Sequence, residues 1–274
     1  MITDWDDAYA NRAHIPDAET FIADWEAAAP AFRDRTGARA EIDLPYGDGP
    51  RHRLDLFRPE GEPAGLAIFV HGGYWMAFDK SGWSHLAQGA LDAGWAVAMP
   101  SYTLAPEARI AEITQEIGAA ISHAAGRVDG PIRLAGHSAG GHLVSRMACA
   151  GAPIDSEVAD RIAHVLSISG VHDLRPLRAT AMNETLKIDA ADARSESPAL
   201  LDPHPGTRLT AWVGAAERPE FGRQADLIAT AWALPGVHAR AHHDPGRHHF
   251  DVIAGLADRL APITRAWTGE DGWS

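Results

Sequence analysis

Ser138 stands in the middle of Gly136-His137-Ser138-Ala139-Gly140, after the apolar run Ile132 to Ala135 and before Gly141 to Ala148, whose pattern is helical. Strand, sharp turn with serine, then helix is the layout of a nucleophile elbow. Glycine at 136 and 140 lets the strand and helix backbones approach where a Cβ would clash, and Ser138 is left at the strand end. The amide of Ala139 then lies at a helix N-terminus, whose partial positive charge suits an oxyanion. A serine hydroxyl is a weak nucleophile until a base takes its proton, and the base needs an acid to fix its tautomer and stabilise its cation. The expected chemistry is acyl transfer to Ser138 followed by hydrolysis.

A second motif, His71-Gly72-Gly73-Tyr74-Trp75, follows the strand-like Leu66 to Val70. Glycines there can turn their amides toward a developing negative charge, so Gly72 and Gly73 are expected to complete an oxyanion hole with Ala139. On an elbow of this kind the partners follow in the order serine, acid, histidine. The chain has 15 histidines, but the base belongs in the loop after the last strand, where Gly246-Arg247-His248-His249-Phe250-Asp251 stands. Phe250 can pack under that loop and turn the preceding imidazole outward, which favours His249 over His248. The acid is expected after the strand Leu209 to Val213. Glu217 is the first carboxylate there, with Glu220 close behind, Asp173 after the preceding strand and Asp244 as further candidates.

These groups need a scaffold that brings distant loops to one edge. Strand-like and helix-like segments alternate through most of the chain, the pattern of a parallel sheet flanked by helices. Arg39 to Leu44 and Arg53 to Phe57 read as an opening antiparallel pair. Leu66 to Val70, Ala96 to Met99, Ile132 to Ala135, Val165 to Ser169, Leu209 to Val213 and Val237 to Ala241 read as short buried strands. Ile110, Ile113, Ile117 and Ile121 share one helical face, as do Phe221, Ala225, Ile228 and Trp232, and Val252, Leu256 and Leu260 are expected to mark the last helix. The expected fold is α/β, an α/β-hydrolase fold with a mostly parallel eight-stranded sheet. A single domain over residues 1–274 is expected, with an N-terminal helical segment, 1–35, near the site mouth and a lid-like insertion at 171–205.

Composition fits an enzyme acting on small molecules. The formal net charge of −13 disfavours a nucleic-acid surface. No apolar run approaches membrane-spanning length, and the start, Met1-Ile2-Thr3-Asp4-Trp5, lacks the basic and apolar regions of a secretion signal. The one cysteine, Cys149, cannot form an internal disulfide and is expected on the helix after the elbow. A cytoplasmic location is expected, and association into a homodimer stays open.

Five stretches together resemble the kynurenine formamidase (arylformamidase) branch of the esterase/lipase α/β-hydrolases. They are His71 to Trp75, Tyr102-Thr103-Leu104-Ala105-Pro106-Glu107, Gly136 to Leu143, Ser169-Gly170-Val171-His172-Asp173-Leu174, and Pro219-Glu220-Phe221 with Gln224. Related hormone-sensitive-lipase-like esterases carry a third glycine where this chain has Tyr74. The resemblance implies Ser138 as nucleophile, Glu217 as acid, His249 as base and an oxyanion hole from Gly72, Gly73 and Ala139, although family members place aspartate where Glu217 stands. It implies hydrolysis of an N-formyl aryl amine such as N-formylkynurenine, or of a small carboxylic ester, without metal or organic cofactor. Tyr74, Trp75 and Tyr102 are expected to border the substrate pocket.

Competing readings are a general carboxylesterase, a metal-dependent amidohydrolase and a hydrolase fold that binds without turnover. His242, His243, His248 and His249 could hint at a metal, but adjacent residues on a strand point to opposite faces and no second group has ligand spacing. His71 is expected to brace the oxyanion loop, and His137 and His142 to be structural.

Overall fold

The computed structural model describes residues 2–272, so Met1, Trp273 and Ser274 of the expected domain span lie outside it. One eight-stranded sheet runs through the molecule in the order β1-β2-β4-β3-β5-β6-β7-β8. The strands are β1 (Ala40–Pro45), β2 (Arg53–Phe57), β3 (Leu66–Val70), β4 (Ala96–Pro100), β5 (Ile132–His137), β6 (Ile162–Ile168), β7 (Arg208–Gly214) and β8 (His238–Asp244). β1 pairs antiparallel with β2, and β2 with β4, while every later pairing is parallel. The order reverses between β3 and β5, where the loops after neighbouring parallel strands leave in different directions and open a crevice.

Alternation along the buried strands feeds two cores. Leu66, Ile68 and Val70 of β3 belong to one apolar cluster and Ala67 and Phe69 to the other, because side chains alternate across a pleated sheet. The helix Ile110–Ala125 lays Ile110, Ile113, Ile117 and Ile121 against the first cluster, the face its period predicts. The elbow helix, Ala139–Met147, covers the same side through Leu143 and Val144. On the opposite side the 19-residue helix Ala18–Thr36 contributes Trp25 and Phe32.

The C-terminal expectation needs correction. Val252 and Leu256 are buried, but Leu260 is 76% exposed, and the chain makes only a short 3-10 turn at Ala254–Ala257. The last α-helix is Pro262–Thr268, which starts where proline fits because the first helical position needs no amide donor. Cys149 lies just past the end of the elbow helix, not on it; its thiol is buried, which pushes its pKa up to about 11. Among the described residues no helix is long and apolar enough to cross a membrane.

Candidate active site

Ser138 sits at the C-terminal end of the central strand β5 with φ 56° and ψ −115°, a left-handed backbone that a serine holds only when its surroundings enforce it. Its amide donates to the carbonyl of Ile168 at 2.8 Å, and its carbonyl accepts from His142 at 3.1 Å, starting the elbow helix. Gly140 is required by close approach, since a Cβ there would lie 2.0 Å from the carbonyl oxygen of Val70.

The parallel register pairs Val70 with Gly136, which carries the loop after β3 directly beside the elbow. A Cβ added to Gly72 would stand 3.0 Å from that of Ser138. Gly73 has φ 110°, and a Cβ on it would meet the carbonyl oxygen of Ala77 at 2.4 Å, so only glycine fits. The amides of Gly72, Gly73 and Ala139 donate to no backbone carbonyl among the described residues. His71 braces this loop: its Nδ1 donates to the Gly72 carbonyl at 2.8 Å and its ring stacks on Tyr102 at 4.4 Å. Burial lowers the His71 pKa to about 4, so the ring is neutral near pH 7.

His249 and Glu217 meet although their loops follow different strands, β8 and β7. The imidazole Nδ1 donates to Glu217 Oε2 at 2.6 Å, with side chains only 5% and 1% exposed. A carboxylate only accepts, so the proton of neutral imidazole is on Nδ1 and Nε2 is the basic nitrogen. The other Glu217 oxygen accepts from the Ser169 hydroxyl at 2.5 Å and the Gly214 amide at 2.8 Å. His249 and Ser138 line the same cavity, and no hydrogen bond joins the Ser138 hydroxyl to the ring in this conformation. Such contacts commonly tighten only when substrate is bound.

The other candidates are engaged elsewhere. His248 Nδ1 accepts from the amides of Phe250 at 3.1 Å and Asp251 at 3.3 Å, which shapes the turn that presents His249. Asp173 forms paired hydrogen bonds to Arg175, both 2.9 Å, and Asp244 accepts from the Trp212 indole at 3.2 Å. Glu220 is buried with Tyr9, Arg223 and Gln224. Among the described residues no group of three or more His, Cys, Asp and Glu side chains could hold a metal ion.

The cavity over Ser138 measures about 670 Å³. Tyr74 lines it, whereas Trp75 and Tyr102 do not. The Trp75 ring is fully buried edge-on to His142 at 5.1 Å, and Tyr102 is fully buried with its hydroxyl donating to the His71 carbonyl at 3.1 Å. Both rings therefore support the loop after β3 from beneath. The aromatic wall comes instead from Tyr9, Trp25, Tyr74, Phe78, Trp83 and Phe250, with Met182 reaching in from the 171–205 region. Both Tyr9 and Trp25 belong to the segment 1–35 expected near the site mouth, but no motif singled out these two residues.

The BD-FAE family profile matches residues 54–212, from β2 through the elbow to β7. The chain belongs to the BD-FAE family. Kynurenine formamidase of Danio rerio is 27% identical over 247 residues, covering 85% of this chain and 82% of that protein. That of Drosophila melanogaster is 28% identical, covering 81% and 78%. A solved Silicibacter protein, provisionally named a thioesterase, is 51% identical with a TM-score of 0.93 and covers 97% of this chain and 99% of that one. A Pyrobaculum calidifontis esterase shares the fold at 20% identity and a TM-score of 0.69, covering 95% and 94%. This BD-FAE member is thus a kynurenine formamidase-like α/β-hydrolase, an enzyme of the formamidase and esterase type.

Proposed function

We propose that this enzyme hydrolyses N-formyl aryl amides of the N-formylkynurenine kind through a formyl-enzyme on Ser138. The observation that carries the reading is the 2.6 Å His249–Glu217 pair, whose imidazole lines the same cavity as a strained elbow serine. In this scheme Ser138 Oγ attacks the formyl carbon while its proton passes to His249 Nε2. The carbonyl oxygen gathers negative charge beside the amides of Gly72, Gly73 and Ala139, which are fixed before the reaction starts. Collapse breaks the C–N bond, and His249 returns the proton to the departing aryl nitrogen. Water, deprotonated by the same imidazole, then releases formate and free Ser138.

The aromatic cavity wall favours an aryl substrate, since ring faces and edges bury well against one another. Kynurenine formamidases matching most of the chain support the formyl amide. A second reading, a short ester or thioester, draws on the 51% identical Silicibacter protein and uses the same steps with an oxygen or sulfur leaving group.

Turnover of N-formylkynurenine, p-nitrophenyl acetate and an acyl thioester should be measured side by side with wild type and Ser138→Ala. The formamide should give the highest kcat/KM, and Ser138→Ala should lower every rate by roughly three orders of magnitude or more. Formamide turnover at background with brisk ester cleavage would move the assignment to the esterase reading. Wild-type rates in the Ser138→Ala protein would end both.

A further inference from the structure

Three consecutive residues of the loop after β3 hold positive φ: Gly73 at 110°, Tyr74 at 50° and Trp75 at 57°. For tyrosine and tryptophan this conformation costs free energy, so contacts elsewhere must hold it. Trp75 is held by its buried ring and by its carbonyl, which accepts from the Ala105 amide at 2.8 Å. Tyr74 is held from the far N-terminus. Its hydroxyl donates to the backbone carbonyl of Tyr9 at 2.6 Å and accepts from Asn11 Nδ2 at 3.4 Å.

Tyr9 is in turn fixed by a buried carboxylate that the chemistry leaves unused. Its hydroxyl donates to Glu220 Oε1 at 2.9 Å and accepts from Gln224 Nε2 at 3.1 Å. Glu220 is 1% exposed and also accepts from Gln224 at 2.8 Å and from two Arg223 nitrogens at 2.7 and 2.6 Å. Gln224 Oε1 accepts from the amides of His172 and Asp173, each at 2.8 Å. The helix Pro219–Ala231 and the loop after β6 therefore grip the N-terminal helix Trp5–Tyr9, and through it the loop that carries Gly72 and Gly73.

The geometry points to Glu220, Tyr9 and Tyr74 as positioning residues for the oxyanion hole: Glu220 locks Tyr9, and the Tyr9 carbonyl captures the Tyr74 hydroxyl and so aims the Gly72 and Gly73 amides beside Ser138. This rests on the serine reading of the site. An oxyanion donor works only within about 2.7–3.1 Å of the developing charge, so slack of a few tenths of an ångström in this loop acts on the transition state. The ground state, held by the rest of the cavity wall, is spared.

Tyr74→Phe removes only the hydroxyl and keeps the ring. With a short p-nitrophenyl ester it should lower kcat by about 10- to 100-fold and weaken a trifluoromethyl ketone, whose adduct places an oxyanion beside these amides, by the same factor. KM should stay within about twofold and the pH profile of kcat should keep its shape. Tyr9→Phe and Glu220→Gln should each give a smaller loss, and the double variant no more than the larger single loss, because the two groups act through one link. A Tyr74→Phe protein with unchanged kcat and ketone affinity, or with a loss confined to KM, overturns the proposal. If Glu220→Gln lowers the melting temperature too far to assay, Tyr74→Phe and Tyr9→Phe decide it. Ser138→Ala is run alongside: surviving turnover there strikes the serine reading, whereas a Ser138-dependent enzyme indifferent to Tyr74→Phe strikes only the positioning chain.

Discussion

His137 Nε2 donates to the backbone carbonyl of His249 at 2.8 Å, and the two rings lie 4.7 Å apart. The residue before the elbow serine thus holds the loop that presents the basic imidazole. Burial pushes the His137 pKa well below its usual value, which favours the neutral ring in this donor role.

His137→Leu should therefore lower kcat by about 10- to 100-fold by loosening the loop and leaving a buried carbonyl unpaired. His137→Gln, which can still donate, should recover part of the loss. Because burial disfavours the charged ring and His137 acts here as a hydrogen-bond donor to the loop, the acid limb of the pH profile should not move in either variant. A displaced limb in steady-state pH profiles would show that His137 carries a proton in the reaction.

Glu217→Gln should keep the fold and lose roughly three to four orders of magnitude in kcat, because an amide can present a donor to Nδ1 and stabilise the wrong tautomer. The carboxylate also binds Ser169, and Ser169→Ala should cost about tenfold by leaving Glu217 Oε1 held by the Gly214 amide alone. Asp173→Asn should leave kcat near wild type, since that carboxylate is taken by Arg175. Stopped-flow rates on all three variants give the order. A loss at Asp173 exceeding that at Glu217 would transfer the acid to the loop after β6.

The elbow, the glycine pair and the loops after β7 and β8 were legible because each depends on local chemistry: a turn that only glycine permits, or a carboxylate and histidine at strand ends. Buried strands were legible as short apolar runs, with ends misjudged by a few residues, as at β6, which begins at Ile162, not Val165. Trp75 and Tyr102 read as pocket walls because sequence places an aromatic near a site without saying which way its ring turns. The parts of the cavity supplied by Tyr9, Trp25 and Trp83 depend on how the N-terminal helices and the loop after β3 pack, a long-range outcome that no local pattern encodes. Leu260 failed for the opposite reason: a helical period was present, but Pro262 favoured a later start.

Acid should destabilise this protein before most carboxylates titrate. Burial lowers the pKa to about 4 for His71 and His142 and to about 3 for His164 and His172. The unfolded chain binds protons on these rings below about pH 6.5 while the native state does not, so each contributes stability above that pH that is lost as pH falls toward its folded pKa. The slope is about 1.4 kcal/mol per pH unit for each such ring. Urea unfolding at pH 7.5, 6 and 5 should show a falling midpoint, and His172→Asn should flatten the dependence. A midpoint constant from pH 7.5 to 5 would mean that these rings gain protons in the native state.

Lys80 offers the sharpest test of a charge buried for architecture. It is 4% exposed, and its ammonium donates at 2.7 Å to both Asp43 and the fully buried Asp55. Burial opposes the charge, yet the two carboxylates outweigh it and hold the Lys80 pKa above its usual value. The same cluster sets the irregular pairing of β1 with β2, where Asp43 has φ 58° and its amide donates to Asp55 at 2.9 Å. Lys80 lies two residues past Phe78 in the loop whose near side lines the cavity, so the ion pair staples that loop to the sheet edge. Lys80→Met would leave Asp55 buried without its cation and should cost about 3–5 kcal/mol. Replacing Asp55 as well, in Lys80→Met with Asp55→Leu, should recover much of that loss, because the uncompensated charge is gone. Chemical denaturation of the single and double variants measures both, and a double variant no more stable than the single one would show that packing around the loop, not the stranded charge, accounts for the loss.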